Sequence, residues 1–543
     1  MSFRLPIEYI EHKYKTPPSL IKDLELVETV DVSGTPMYDS VFAPRTELAR
    51  ANSKLWAKWY TDDKPFLKAF VKYARALTLP PGEADTYAQT WAEFQGTTDF
   101  SQVYQYVDFY KLNFLNENAN CLFYMSLYSM LSPVMFLLSP ICIVLMPFLL
   151  LKIRGIDLEW AEYRLVLNEI LGKHPIGQLF TDTSTTLNQK GYVVMSIVFF
   201  CVQLYTNVQS CFLFYKNVNN TFDVLNSTTE YLDSTLNTLK ELIHKAPTPG
   251  FKADLEKHYA VLAPFHETLK MESWGWKGLG KIGEARKLLY ALKNDAALKE
   301  SIVYSFGVRG FAENMAALKL GLQHKLLNPC KFGKGQTSFK DINYPTNPLH
   351  KKCSYELENY VITGPNASGK TTFIKTTLLN VLLSQQIGAG FYAAAKINPY
   401  KTLSCYINIP DTSGRDSLFQ AEARRCKEIL DFLPQGRMLC IFDELFSGTN
   451  PQEATASTYA FLLYLLKHDT CNFLLTTHFV DVCAKIKTAA GVKNVYMKTT
   501  SVDGVLHPHY ELLDGVSTVK GGLEVLKQLN YPKEIIDCAK NCD

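Results

Sequence analysis

The chain has little net charge and lacks the cysteine spacing of a zinc site. Its 543 residues carry 56 Lys and Arg against 53 Asp and Glu, a formal net charge of +3, so the total charge does not demand a nucleic-acid partner. Thirteen cysteines occur without a C-x-x-C pair, which favours reduced thiols in a cytosolic setting. The N-terminus is polar and charged, and we therefore expect no signal peptide.

Charged side chains are also missing from two long apolar stretches. No Asp, Glu, Lys or Arg occurs from Ala119 through Leu151, and a second uncharged stretch runs from Gly191 to Tyr215. Because about 20 apolar residues suffice for a helix to cross a bilayer, both stretches predict transmembrane spans; the alternative is two buried core helices of a soluble domain. Pro133, Pro140 and Pro147 leave open whether the first stretch is a kinked span or a re-entrant hairpin.

Further along, a strand, a glycine-bounded turn and a helix follow one another in the order of a phosphate-binding loop. Residues Gly364 to Thr371 read G-P-N-A-S-G-K-T, after the β-rich run Tyr360–Thr363 and before a helical run, Thr372–Leu383. The glycines let backbone N–H groups point at phosphate oxygens, and the helix start adds the positive end of its dipole. The predicted nucleotide-binding residues are Gly364, Pro365, Asn366, Ala367, Ser368, Gly369, Lys370, Thr371 and Thr372. Lys370 would contact the β- and γ-phosphates and Thr371 would bind Mg²⁺.

Two further apolar strands end in side chains that suit phosphate chemistry. Met438–Phe442 is followed by Asp443 and Glu444, and Asn472–Thr477 is followed by His478. Beside a phosphate loop, Asp443 would hold Mg²⁺, and Glu444 would orient and deprotonate the attacking water. His478 would contact the γ-phosphate or position the water. In isolation each is an ordinary strand-end residue, and the order of the segments favours the catalytic interpretation.

These segments resemble the ATPase domain of the MutS mismatch-repair proteins over about Cys330 to Cys542. Val361–Thr371 resembles the phosphate loop of that family, and Asp416–Glu422 is similar to its S-T-F-x-x-E segment. Asp443–Thr449 is similar to its D-E-x-x-x-G-T segment and is followed by Thr477-His478. The remaining similar segments are Leu382–Gly388, Leu513–Ser517 and Gly521–Ala539.

The resemblance implies an α/β P-loop NTPase domain that uses ATP and Mg²⁺, with Lys370, Glu444 and His478 as catalytic residues. In the family, the serine at the position of Ser417 reaches the nucleotide of a second subunit, which implies a homodimer with composite sites. Near the N-terminus no F-x-E triplet matches the wedge with which the family probes mismatched DNA. We therefore expect ATP hydrolysis and do not expect mismatch recognition.

Composition and resemblance together predict four parts. These are a mainly helical region at 1–118, a transmembrane pair with its loop at 119–215, an all-α core and lever region at 216–329, and the ATPase domain at 330–543. Heptad-like spacing of leucines predicts a long helix over 222–245. Another helical stretch, 282–327, is expected to break near Gly307–Gly310.

Three functions fit these features. The first is a membrane-anchored ATPase with a cytosolic ATPase domain, closing as a dimer clamp on DNA or on a membrane-proximal client. The second is a conventional mismatched-DNA sensor, cytosolic or nuclear, with the apolar runs buried. The third is an ATP-driven membrane transporter component, which two spans per chain disfavour. The segment between the spans, Lys152–Lys190, is as basic as its flanks, so the positive-inside rule leaves the topology open. Candidate DNA contacts, or an ordinary solvated helix face, are Lys281, Arg286, Lys287 and Lys293.

Overall fold

The computed structural model describes residues 3–31, 33–78, 85–156, 159–173, 187–270, 280–346, 352–407, 417–502, 505–519, 526–527, 529 and 531–541. A mostly helical N-terminal region is followed by a C-terminal α/β region. Asp416, parts of Lys152–Lys190 and parts of Gly521–Ala539 lie outside the described residues. The chain forms two compact units: Met1–Asp85 with Ser234–Ala260 and Ile302–Asp543, and Thr86–Asp233 with Val261–Ser301.

Helices predominate before Asn328, and most of the strands lie after it. The α-helices of the described chain are α1 (Pro18–Asp23), α2 (Met37–Phe42), α3 (Glu47–Ser53), α4 (Lys64–Ala76), α5 (Asp85–Gly96), α6 (Phe100–Val103), α7 (Ala119–Ile153), α8 (Trp160–Lys173), α9 (Leu187–Lys245), α10 (Pro249–Lys270), α11 (Ile282–Asn294), α12 (Ala296–Gln323), α13 (Lys370–Ile387), α14 (Leu418–Phe432), α15 (Pro451–Leu466), α16 (Val480–Ile486) and α17 (Lys533–Asn541). The strands are β1 (Tyr14–Lys15), β2 (Trp59–Tyr60), β3 (Asn328–Phe332), β4 (Ser338–Ile342), β5 (Cys353–Glu356), β6 (Asn359–Thr363), β7 (Ala389–Gly390), β8 (Ala394–Ile397), β9 (Thr402–Tyr406), β10 (Met438–Asp443), β11 (Cys471–Thr476), β12 (Val492–Val502) and β13 (Val505–Asp514).

The first unit contains a sheet in the order β13-β12-β6-β11-β10-β9. Neighbouring strands from β12 to β9 pair in parallel, and β13 pairs antiparallel with β12. Apolar side chains of β10 and β11 are fully buried and pack with α15 in one core, as the continuous apolar runs predict. Because parallel strands end at the same edge, the residues after β6, β10 and β11 are brought together there. A second sheet has the order β5-β4-β8-β3-β7.

N-terminal residues of the same unit bury the helix that follows the phosphate loop. At its carboxyl end, Gln385 donates to the carbonyl oxygens of Thr61 at 3.0 Å and Tyr400 at 2.7 Å. Gln386 donates to the carbonyl oxygen of Trp56 at 2.7 Å. Since a buried amide without partners would destabilise the fold, these bonds tie the N-terminal region to α13.

The prediction of a helix break near Gly307–Gly310 was wrong. Asp295 separates α11 from α12, and its carboxylate accepts hydrogen bonds from the backbone N–H groups of Ala297 and Leu298 at 2.9 and 3.0 Å, which is helix capping. Gly307 and Gly310 lie within α12, where a Cβ would stand 2.2 Å from the Cβ of Phe3 and 2.3 Å from the carbonyl oxygen of Leu48. The glycines allow close packing and do not interrupt the helix.

In the second unit, α7 is one continuous helix through all three prolines, so the re-entrant hairpin does not form. A proline lacks the N–H that would bind the carbonyl four residues earlier. Ser132, just before Pro133, donates to the carbonyl of Ser129 at 3.2 Å, and Ser139, just before Pro140, donates to that of Phe136 at 2.8 Å. Each serine thus satisfies the carbonyl that the next residue leaves without its helical partner.

The two apolar runs are exposed at the surface of this unit. By length and composition alone, Ala119–Ser139 in α7 and Val194–Lys245 in α9 qualify as membrane spans among the described residues. Only 11% and 6% of their most apolar windows are buried within the protein. The two helices contact each other through the stacked rings of Phe136 and Phe200, whose centroids lie 4.7 Å apart. The soluble alternative requires that both runs be buried in a protein core, and the structure leaves them exposed.

Two of the four basic side chains considered for DNA contact donate hydrogen bonds to backbone carbonyls of the second unit. Arg286 is 3% exposed and donates to the carbonyl oxygens of Leu122, Tyr104 and Gln105. Lys293 donates to three backbone carbonyls at the end of α5. The solvated-face interpretation was therefore wrong for Arg286, and neither side chain presents a free charge to a phosphate backbone. Lys281 and Lys287 are exposed.

Candidate nucleotide site

The predicted phosphate loop joins β6 to α13. Gly364 has a φ of 155°, and a Cβ there would lie 2.8 Å from the hydroxyl of Ser368; glycine is therefore required. Ala367 adopts a φ of 59°, a left-handed conformation that is strained for a residue with a Cβ. Thr372 lies in the first turn of α13. The loop thus has the strand–turn–helix context that a phosphate cradle needs.

Lys370 is held inside this loop. Its side-chain nitrogen donates to the carbonyl oxygens of Gly364 at 2.9 Å and Pro365 at 3.1 Å, and it lies 3.3 Å from Nε2 of His478. Burial lowers the pKa of Lys370, while the carboxylates of Glu444 and Asp443 act in the opposite direction. The nearby carboxylates favour the ammonium form, which is the form that attracts phosphate.

The two residues assigned to Mg²⁺ meet at the adjacent strand end. The hydroxyl of Thr371 lies 2.9 Å from one carboxylate oxygen of Asp443 and 3.2 Å from the other. Thr476, the last residue of β11, donates its hydroxyl to the same carboxylate. A hydroxyl and a fixed carboxylate are oxygen ligands that suit Mg²⁺, so Thr371 and Asp443 fit the predicted metal.

Glu444 and His478 form a pair beside the lysine. Oε1 of Glu444 lies 3.0 Å from Nε2 of His478, and a proton on that nitrogen makes His478 the hydrogen-bond donor. This hydrogen bond is the largest cause that lowers the pKa of Glu444, with the charges of His478 and Lys370 acting in the same direction. The carboxylate is therefore ionised, as the predicted base requires.

The buried hydroxyl of Ser368 lacks a hydrogen-bond partner within the described chain. The residue is 1% exposed, and its hydroxyl has no hydrogen-bond partner among the described residues. Buried hydroxyls are normally satisfied. A hydroxyl without a partner inside a loop of phosphate-binding geometry fits a ligand that brings acceptor oxygens, as ATP would.

Glu422 holds the segment after the acidic strand, a role that the sequence did not reveal. Its buried carboxylate accepts hydrogen bonds from the N–H and hydroxyl of Ser447, both at 3.1 Å, and from the N–H of Gly448 at 3.2 Å. Glu422 lies on α14 and Ser447 follows Glu444 by three residues. The co-occurrence of the two family-like segments was the only signal that they belong together.

Ser417 stands apart from the hydrogen-bonded set around Lys370. It is the exposed N-cap of α14, where it exchanges hydrogen bonds with Gln420: the hydroxyl accepts from the N–H at 3.3 Å, and its own N–H donates to the amide oxygen at 3.0 Å. These bonds join it to its own helix and not to the phosphate loop of its own chain. Another residue that sequence reasoning missed is Tyr510 of β13, whose ring lies against Gly369.

Comparison with known proteins agrees with this geometry. Residues 360–543 match the family model for MutS domain V. Endonuclease MutS2 of Clostridium botulinum (strain Kyoto / Type A2) is 30% identical over 200 residues, 36% of this chain and 24% of the relative. The protein of the same name from strain Alaska E43 / Type E3 is 28% identical over 198 residues, with the same coverage.

These matches support membership of the MutS family. Domain V of MutS proteins is a P-loop ATPase fold, which agrees with the strand, loop and helix described above. The chain spans about a quarter of the length of the MutS2 relatives that it matches. The endonuclease activity in the relatives' name is theirs.

Proposed function

We propose that this protein is a membrane-anchored MutS-type ATPase. ATP binding would bring two copies together and hydrolysis would release them, so that the dimer acts as a clamp on DNA or on a client near the membrane. The observation that carries the ATPase proposal is the meeting of two sets of contacting side chains at one sheet edge. Lys370 contacts His478, His478 contacts Glu444, and Thr371 contacts Asp443 at the same sheet edge.

Each of these side chains has a role that its position supports. Lys370, on the first turn of α13, would bind the β- and γ-phosphates together with the loop N–H groups. Glu444, ionised and held by His478, would take the proton of the attacking water, and His478 would sense the γ-phosphate. Thr371 and Asp443 would hold Mg²⁺, which supplies charge neutralisation for the phosphates when bound.

The membrane part of the proposal is supported by exposure and by satisfied backbone groups. The α7 run Ala119–Leu151 would extend about 50 Å at 1.5 Å per residue, longer than the hydrocarbon layer of about 30 Å. Its large apolar side chains are exposed in long series. Lipid offers no hydrogen bonds to a free carbonyl, and Ser132 and Ser139 satisfy the carbonyls freed by Pro133 and Pro140.

The nucleotide site is tested by Lys370→Ala. Loss of the only lysine in the phosphate loop should abolish ATP binding, measured by titration with a fluorescent ATP analogue, and with it ATP hydrolysis. Lys467→Ala, at an exposed lysine after α15, is the control and should bind and hydrolyse ATP normally. Unchanged turnover in Lys370→Ala would reject the phosphate-loop assignment.

The anchor and the client are tested on the full chain. Resistance to carbonate extraction from membranes supports the anchor, and release into the soluble fraction rejects it. DNA as the client predicts ATPase stimulation by duplex DNA. A stronger response to heteroduplex than to perfect duplex would favour a mismatch sensor instead, and stimulation by a small solute alone would favour a transporter component.

A further inference from the structure

A closed loop precedes α7 in the second unit, and one side chain fixes its base. Asn116, 1% exposed, accepts a hydrogen bond from the N–H of Val107 and donates to the carbonyl oxygen of the same residue, both at 2.9 Å. Next to Val107, the buried Tyr106 donates its hydroxyl to the carbonyl of Arg286 at 2.6 Å. The chain between Val107 and Asn116, which we call the closed loop, includes most of the 3-10 helix Tyr110–Glu117 and is thus fixed at its two ends.

The tip of the closed loop exposes large apolar side chains. Phe109 is 59% exposed, Tyr110 91%, Leu112 41% and Phe114 62%. Burying an aromatic side chain of this size is worth about 1.5–3 kcal/mol, so a fold that fixes the loop base yet leaves its tip open keeps this apolar surface for a partner.

The base of the closed loop lies level with the turn of α7 at which apolar exposure begins. Ser129 of α7 donates to the side chain of Gln105 at 3.0 Å, and Arg286 bridges the carbonyls of Gln105 and Leu122. Leu122, at 0%, is the last buried large apolar side chain of α7 among the described residues, and Ser126 is 1% exposed. Exposed apolar side chains begin in the same turns, with Tyr124 at 67% and Tyr128 at 73%, and continue to Ile153.

The second apolar helix reaches the same level. Asn217 of α9 donates to the carbonyl of Val103, just before the base of the closed loop. On α9, Phe214 is 2% exposed, whereas Phe212 is 72% exposed. Both helices therefore change from protein-buried to apolar and exposed beside the base of the closed loop, which places the loop where the proposed spans would enter a bilayer.

We propose that the closed loop inserts into the headgroup region of a phospholipid bilayer and sets the depth at which the spans sit. This inference rests on the proposed membrane anchor. Aromatic rings with an apolar body and, in Tyr110, a polar tip are the side chains that prefer this region. Lys111 in the loop and Lys216, which ends the apolar run of α9, are exposed and available to lipid phosphates.

The test is photo-crosslinking to lipid in the full-length protein. The photoreactive residue p-benzoylphenylalanine would replace Tyr110 in one sample, Phe199 of the α9 span in a second, and Tyr464 of α15 in a third. Tyr464 and Phe199 are exposed, at 46% and 68%, so they serve as matched aqueous and membrane controls. The protein is reconstituted into vesicles of phosphatidylcholine and phosphatidylserine, and adducts are identified by mass spectrometry.

We expect lipid adducts at positions 110 and 199 and none at position 464. Adducts at 199 without any at 110 would overturn the closed-loop inference and leave the anchor standing. Adducts at 110 alone would show that the closed loop contacts lipid but would reject the spans, and with them the role of the loop in setting their depth; none at either position would reject both the loop contact and the spans. Cross-linking of position 110 to a second copy of the chain would also overturn it.

Discussion

At the scale of single residues, the phosphate loop has internal partners for its lysine but not for its serine. Lys370 donates to two loop carbonyls, whereas the buried hydroxyl of Ser368 lacks a partner within the described chain. A bound phosphate would accept hydrogen bonds from both side chains. Removing Lys370 also breaks bonds within the free protein, whereas removing the Ser368 hydroxyl does not, so a Ser368 variant separates ATP binding from fold stability.

Ser368→Ala should weaken ATP binding without weakening the fold. A hydrogen bond to a charged group contributes about 1.5–3 kcal/mol, so affinity should fall by about tenfold or more. Thermal stability without nucleotide should stay unchanged or rise, because no internal bond is lost. Ser384→Ala is the control: its hydroxyl donates to the carbonyl of Asn380 at 2.6 Å, so stability should drop and ATP affinity should not. A destabilised Ser368→Ala protein with normal ATP affinity would contradict the assignment.

The hydrogen bond between Glu444 and His478 leads to a prediction about how the hydrolysis rate depends on pH. His478 is the main cause that lowers the pKa of Glu444, so the carboxylate keeps its charge as pH falls and loses it only below the usual range. In His478→Ala that pKa should rise, and the acidic limb of the single-turnover hydrolysis rate should move to higher pH. His478→Asn, which retains a donor, should show a smaller movement. An unmoved limb in His478→Ala would mean that another group is the base.

At the scale of secondary-structure elements, α14 and the segment after β10 are joined through Glu422. Glu422→Ala removes three hydrogen bonds to a buried carboxylate, and the free energy of unfolding should fall by about 3 kcal/mol, since each such bond contributes about 1.5–3 kcal/mol and the effects are not additive. Hydrolysis should fall as well, because the segment adjoins Glu444, while ATP binding is kept because Lys370 is held by carbonyls of its own loop. Denaturant unfolding and ATP titration measure the two effects.

Glu428→Ala, on the same helix, is the matched control for this change. Glu428 is half-exposed and pairs with Arg425 at 2.7 Å, and an exposed pair of this kind contributes at most about 1 kcal/mol. Equal loss of stability in Glu422→Ala and Glu428→Ala would show that Glu422 does not hold the segment after β10 in place.

Sequence patterns predict elements whose cause is local, and they fail where the cause is a distant contact. The phosphate loop, the acidic strand β10 and the Thr-His strand β11 lie where motif and apolar pattern place them. Gly307 and Gly310 were misinterpreted because Phe3 and Leu48, hundreds of residues away in sequence, occupy the space that they leave. Arg286 was misinterpreted for the same reason, since its partners on α7 are invisible to local pattern.

At the scale of the whole molecule, the position of Ser417 bears on the number of subunits. It is exposed and capped within its own helix, apart from the hydrogen-bonded set around Lys370. If the proposed dimer forms, Ser417 of one copy completes the site of the other. A single chain would then carry only part of each nucleotide site, and ATP hydrolysis would require two chains to associate.

Mixing variants tests this arrangement. When a Ser417→Ala,Glu444→Gln double variant is mixed in excess with wild type, each heterodimer has one site without the base and one without the serine, so activity should vanish as heterodimers form. Glu444→Gln alone, in the same excess, leaves each heterodimer one complete site and should retain about half of the wild-type turnover, provided that the two sites act independently. A serine acting within its own chain predicts that both mixtures keep equal activity, because the wild-type subunit then carries everything it needs. Steady-state ATPase rates across mixing ratios, with heterodimer formation followed by mass photometry, separate the two arrangements.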